Sequence, residues 1–277
     1  MFNLRWAEEG GFPASDRGAA YGDGLFETIR MHGNRGVLLS RHLDRMVRDA
    51  GRLGIPVSLT DLRKACTAAI NRYYDRFINQ QTDGDWVLKL TLTRGEGGRG
   101  YRPGPGVRPN LMVSAGPMPE APPVAYGVAV DLSPVPLMVN PLLAGIKSLN
   151  RLEQVMAARE IEGDLFEVIM SDSAGNLVEG TRTNLLLKMS EGWVTPPARN
   201  LAVAGVLRQW VLERLRARGE LVVERAVSIG DVLGADCRGL YLLNSVIGVV
   251  PARSLAGQDL PVDDGLATIF NPLELLE

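Results

Sequence analysis

Hydrophobic positions recur at helical spacing after Ser40. Leu43, Met46, Val47, Ala50 and Leu53 fall on one face, and Gly54 and Pro56 supply the stop. Residues 59–74 continue with a second helical stretch. Residues 87–93 alternate apolar and polar side chains at their centre, the period of a half-buried strand, and residues 111–115 read as another strand. Residues 116–123 then place four prolines in eight positions, which neither a helix nor a central strand accommodates. This predicts an interdomain linker between a smaller N-terminal domain of residues 1–115 and a larger C-terminal domain of residues 124–277. Beyond the linker, residues 127–132, 166–170 and 184–187 read as strands. Leu149, Leu152, Val155 and Met156 fit one helix face, Leu207, Trp210, Val211 and Leu215 another. Ser228 and Asp231 have the spacing of a capping box that opens a short helix. Strands and helices mix on both sides of the linker, so two α/β or α+β domains are expected.

Composition narrows the class. The 277 residues are 45% hydrophobic, and 30 Lys+Arg against 32 Asp+Glu give a formal net charge of -2, no basic field for nucleic acid. Two cysteines, Cys66 and Cys237, exclude a disulfide scaffold, and two histidines leave little material for a metal site. No apolar run approaches the ~18 residues of a membrane span, and the N-terminus has no signal-peptide core. The expectation is a soluble cytoplasmic protein with no metal and no membrane or nucleic-acid partner.

Several segments carry chemistry. Lys147 follows an apolar run, residues 142–146, and is expected to open a helix near Ser148. Desolvation and the positive end of a helix dipole would both favour the uncharged amine that Schiff-base chemistry needs. A lysine snorkelling from a strand end is the alternative. Glu179 precedes an apolar strand, either as a solvated turn residue or as a carboxylate that keeps a cofactor's pyridine nitrogen protonated. Val206 and Leu207 open a helix whose free amides suit a phosphate, as every helix start does. Arg45 lies off the apolar stripe of its helix, as a solvated arginine or a bidentate phosphate ligand. Residues 94–101 combine four glycines with Arg94 and Arg99, either a plain hairpin or a carboxylate-binding loop. Residues 15–30 form a tight turn feeding a strand, with no reaction implied by their types alone.

Taken in order, residues 15–30 and 39–46, Lys147, Glu179 and residues 205–207 resemble the class IV, fold type IV, pyridoxal-phosphate enzymes. That family holds the branched-chain and D-amino acid aminotransferases and the aminodeoxychorismate lyases. Residues 93–101 and 144–155, the latter with Arg-Leu-Glu-Gln after Ser-Leu-Asn, resemble the lyases most, while Ser148 departs from the histidine of some of them. The resemblance implies a two-domain α/β homodimer with pyridoxal 5'-phosphate between its domains. It implies that Lys147 is the catalytic residue and carries the cofactor, and that Glu179 pairs with the pyridine nitrogen. Arg45, the amides of Val206 and Leu207, and Ser245 would bind the phosphate. Asn150 and Arg151 would flank the cofactor and join Arg30, Arg99 and Tyr101 as substrate contacts. The implied reaction turns 4-amino-4-deoxychorismate into 4-aminobenzoate and pyruvate, a folate-precursor step, with a class IV aminotransferase as the alternative. A non-catalytic homologue would have no need of both Lys147 and Glu179.

Overall fold

The computed structural model describes residues 1–78, 84–270 and 272–277. They divide into two units. The first comprises Met1–Pro119, Lys147–Asn150 and Leu275–Glu277, the second Glu120–Ile146 and Arg151–Glu274. The change of unit after Pro119 falls within the proline-rich stretch, but Lys147 groups with the first unit although it lies far beyond that stretch in sequence.

The first unit contains β1 (Asn3–Trp6), α1 (Arg17–Tyr21), β2 (Gly24–His32), β3 (Arg35–Gly36), α2 (Leu39–Leu53), α3 (Leu59–Ile78), β4 (Asp85–Thr93) and β5 (Asn110–Pro117). Its sheet has the order β1-β5-β4-β2-β3, antiparallel except for the β1–β5 pair. Alternation on β4 buries Trp86, Leu88, Leu90 and Leu92 against α2 and α3, where Leu43, Met46, Ala50, Leu62 and Ala69 complete the core. Trp86 stacks on Phe77 at 5.4 Å. Gly116 and Pro117, expected in the linker, instead end β5; Pro117 sits opposite Trp86 at the last paired position, where a missing N–H is tolerated. Gly54 ends α2 at φ 66, a left-handed conformation that glycine adopts without steric cost.

The second unit contains β6 (Val128–Leu132), α4 (Leu152–Ala158), β7 (Leu165–Ser171), β8 (Leu177–Gly180), β9 (Asn184–Met189), β10 (Gly192–Thr195), α5 (Val206–Ala217), β11 (Val222–Glu224), α6 (Ile229–Leu233), β12 (Cys237–Asn244), β13 (Gly248–Leu255), β14 (Gln258–Asp259) and α7 (Gly265–Ile269). Its sheet runs β11-β10-β9-β12-β13-β6-β7-β8, with β14 on β13, and β8 pairs back onto β9. That return closes six strands into a ring, and its single closing pair is Glu179 opposite Asn184. Both halves of the Ser228 capping box are formed at the start of α6.

Two expectations around α4 fail. The helix begins at Leu152, not near Ser148, so Lys147 does not sit at a helix N-terminus and the dipole argument for it lapses. The apolar stripe is also turned outward: Leu152, Val155 and Met156 are 78%, 56% and 55% exposed, and Gln154 and Ala157 face inward. Among the described residues no helix is long and apolar enough to cross a membrane.

Candidate active site

The first unit supplies an amine. Residues 147–149 lie along the start of β2: Phe26 donates its N–H to the Lys147 carbonyl at 2.9 Å, and Leu149 donates to Gly24 O at 3.0 Å. Strand alternation points Leu25, Glu27, Ile29 and Met31 into the core and Phe26 away from it. The Lys147 Nζ therefore stands over the Phe26 ring, 4.3 Å from its centroid, with Lys147 half-buried. The sequence has only four lysines, and of the other three one is paired and two are exposed. Lys188 pairs with Asp263 at 2.7 Å, Lys64 lies on α3, and Lys89 reaches the Phe26 ring from an exposed position.

On the inward face of β2 the same register buries a carboxylate. Arg45 grips Glu27 in a fork, Nε to Oε1 at 2.7 Å and Nη2 to Oε2 at 2.6 Å, and His42 Nδ1 lies 2.6 Å from Oε2. Arg45 is 4% exposed, so the solvated reading is wrong for it. It lies off the apolar stripe because the surface it meets is the Glu27 carboxylate. Burial pushes the Glu27 carboxyl up, but Arg45 and His42 together hold it down at about 2. Burial lowers the His42 pKa, Glu27 opposes this, and Arg45 and Lys147 add to the lowering. The His42 Nδ1 faces Glu27, and its buried Nε2 has no hydrogen-bond partner among the described residues.

The second unit supplies a carboxylate and free amides. Glu179 is buried where β8 closes onto β9, and its Oε2 accepts from Val203 N at 3.1 Å and Asn184 Nδ2 at 3.4 Å. Asn184 also donates to Val203 O at 3.0 Å and accepts from Gly205 N at 3.1 Å, which ties Glu179 to the start of α5. A Cβ on Gly205 would lie 2.0 Å from Asn184 Oδ1, so only glycine permits this approach. Val206 and Leu207 follow as the first residues of α5, where amides have no intrahelical acceptor and the 12-residue helix has no side-chain cap. Ser245 lies in the turn from β12 to β13, shaped by Asn244 Oδ1, which accepts from the amides of Val246 and Ile247, each at 2.9 Å.

The residues expected at the substrate are placed unevenly. Arg30 is bound to Asp85, which also pairs with His32 at 2.7 Å. Arg99 is exposed and makes no ion pair or hydrogen bond among the described residues, and Tyr101 is 86% exposed. Arg94, the other arginine of that loop, is committed elsewhere: it donates to Asp23 and to the Leu53 and Gly54 carbonyls at the end of α2. Asn150 donates to Gly22 O at 3.1 Å, and Arg151 to Ile146 O at 2.7 Å. Sequence reasoning assigned no role to Glu27, His42 or Asn184. A carboxylate on the apolar parity of β2, with histidine and arginine three apart on α2, was the available signal for the first two.

Each unit by itself holds groups of the kinds that pyridoxal phosphate uses. The half-buried primary amine of the first unit is of the type that bonds the aldehyde, and the buried carboxylate and open helix-start amides of the second are of the types that meet the ring nitrogen and the phosphate. Comparison with known proteins agrees. The sequence profile of the family "Amino-transferase class IV" matches residues 24–255. The chain is 31% identical to the aminodeoxychorismate lyase of Vibrio harveyi, over 99% of its own length and 98% of that protein's. It is 29% identical to the D-alanine aminotransferase of Bacillus licheniformis, over 94% and 89% of the two chains. The crystal structure of 4-amino-4-deoxychorismate lyase from Pseudomonas aeruginosa superposes with a TM-score of 0.85 at 37% identity, covering 94% of this chain and 93% of that one. The chain belongs to the class IV aminotransferase family, of fold type IV, whose cofactor is pyridoxal 5'-phosphate.

Proposed function

We propose that this enzyme is an aminodeoxychorismate lyase, converting 4-amino-4-deoxychorismate to 4-aminobenzoate and pyruvate. The observation that carries the reading is the likeness to the Pseudomonas aeruginosa lyase, at 37% identity over nearly the whole of both chains. A glycine-rich loop that offers Arg99 to solvent adds support, since the substrate bears two carboxylates.

Lys147 is the residue that would carry the cofactor, Glu179 would hold a proton on its ring nitrogen, and the Val206 and Leu207 amides, Ser245 and Arg45 would bind its phosphate. Once bound, the cofactor supplies an electron sink next to the substrate's amine-bearing carbon. Lys147, freed once the substrate's amine has taken its place, would act as the base that takes the proton from that carbon. The neighbouring C–O bond then breaks, the ring becomes aromatic, and the departing enolpyruvyl group is protonated at its methylene carbon to give pyruvate. Glu27 keeps the plane of the Arg45 guanidinium fixed for its task. Arg30, Arg99, Tyr101, Asn150 and Arg151 are the proposed substrate contacts. A second copy of the chain is the proposed partner, because Leu152, Val155 and Met156 on α4 and Met138 and Leu142 on the preceding segment are all more than half exposed.

The test is a product assay on purified holoenzyme. Pyruvate and 4-aminobenzoate should appear in equal amounts from 4-amino-4-deoxychorismate with no keto acid added. The relatives include aminotransferases, so a class IV aminotransferase is the second reading. Strict dependence on an added keto acid acceptor would establish it and exclude the lyase.

A further inference from the structure

Residues 15–24 have no part in the chemistry above, yet they form the support of the arginine-bearing loop. Arg17 is 3% exposed, and its three guanidinium nitrogens are all used. Nε donates to Asp23 Oδ2 at 2.8 Å, Nη1 to Gly100 O at 3.0 Å and Nη2 to Tyr101 O at 2.5 Å. Its main-chain N–H also donates to Gly95 O at 2.9 Å, so one residue ties down both ends of the segment 95–101. Tyr21, a turn further along α1, accepts the Gly100 N–H at 3.2 Å, and its ring lies 5.5 Å from that of Tyr101. Gly97 leaves the room this needs: a Cβ there would lie 2.6 Å from Arg17 Cδ. Between these ties only the Arg99 side chain is left without a protein partner among the described residues. A long charged side chain on a loop already pinned beside it loses less freedom when it meets a ligand.

We propose that Arg17 is a positioning residue for substrate selection, holding the 95–101 loop so that Arg99 and Tyr101 are presented to a substrate carboxylate. This rests on the reading of Arg99 as a substrate contact. Arg17 would touch neither substrate nor cofactor; it would act through the Gly100 and Tyr101 carbonyls.

Two variants of the holoenzyme test it. In Arg17→Gln the Asp23 carboxylate keeps Arg94 as its partner at 2.7 Å, so no buried charge is left unpaired. Tyr21→Phe removes only the acceptor of the Gly100 N–H. Amide hydrogen exchange of the loop, measured without substrate, should quicken about tenfold in Arg17→Gln and less in Tyr21→Phe. KM for 4-amino-4-deoxychorismate should rise about tenfold in Arg17→Gln with kcat within about twofold, and the cofactor's visible band should not move. Arg17→Lys should recover little, since an ammonium cannot serve two carbonyls and a carboxylate as a planar fork does. Unchanged loop exchange in Arg17→Gln overturns the proposal. So does an unchanged KM in Arg17→Gln when Arg99→Ala raises it. If Arg99→Ala itself leaves KM unchanged, the substrate role of Arg99 falls and the selection role of Arg17 falls with it, while the exchange data still report whether Arg17 anchors the loop.

Discussion

At the scale of single residues, the functional reading depends on which lysine and which carboxylate do the work. Lys147→Ala should abolish covalent retention of the cofactor. Borohydride reduction followed by peptide mapping checks this; label on Lys89, the other lysine at the Phe26 ring, would move the assignment there. Glu179→Gln should keep the cofactor bound but slow turnover by orders of magnitude, because an amide does not stabilise a protonated pyridine nitrogen. Near-normal turnover would remove Glu179 from the site. Local features left Lys147 and Glu179 open to a bland reading, since a lysine after an apolar run and a glutamate before a strand are common; it is the ordered resemblance to the family that singles them out. The Glu27–His42–Arg45 group was not legible, since its parts meet only when α2 packs on β2. That group also predicts an acid limb. The Glu27 carboxyl is lowered on folding from 4.5 to about 2 and His42 is lowered from 6.5, so between those bounds the unfolded chain binds more protons than the folded one. Stability should therefore fall as pH drops below about 6.5, first through His42, and then from about 4.5 towards 2 through Glu27. Urea midpoints across this range should flatten at the acid end in a Glu27→Gln, His42→Gln double variant, compared with its own neutral-pH value. An unchanged slope would mean that other groups govern acid unfolding.

At the scale of the element, α2 offers a paired comparison of two glycines four positions or fewer from its end. Gly51 is inside the helix and exposed, and an added Cβ would meet nothing within 4 Å. Gly54 caps the helix at φ 66, and an added Cβ there would also meet nothing. Space is equal at both, so only backbone conformation separates them. Gly51→Ala should stabilise by about 0.5–1 kcal/mol through helix propensity. Gly54→Ala should destabilise by about 1 kcal/mol, the cost of an L-residue in the left-handed region. Equilibrium denaturation of both variants checks the opposite signs; two shifts of the same sign would refute the conformational account. The stop at Gly54 could be read from sequence because it is set by glycine chemistry. The start of α4 could not, because the Lys147 segment is held extended by hydrogen bonds to Phe26 and Gly24, more than 100 residues earlier. Periodicity marked a stripe on α4 correctly as apolar, but it carries no information about what covers that stripe.

At the scale of the whole molecule, that uncovered stripe is the clearest feature the single chain leaves unexplained. Leu152, Val155 and Met156 stand 78%, 56% and 55% exposed on α4, and the main chain of Met138 is tied to α4 through Glu153, so Met138 at 62% adjoins them. Monomers seldom leave a contiguous apolar patch much beyond a few hundred Å². A stable pair of chains would cover about 800 Å² on each. Under the proposal of a second copy, light scattering should give twice the chain mass at micromolar concentration. Leu152→Glu with Val155→Glu should shift the enzyme towards monomer. The fold of each chain should survive, since both sites are exposed and Leu152 is the first residue of α4, where a carboxylate suits the helix dipole. Circular dichroism and the urea slope should therefore change little while the mass falls by half. A wild-type monomer would end the proposal. A dimer that tolerates both glutamates would place the interface on some other surface and leave this stripe without an occupant.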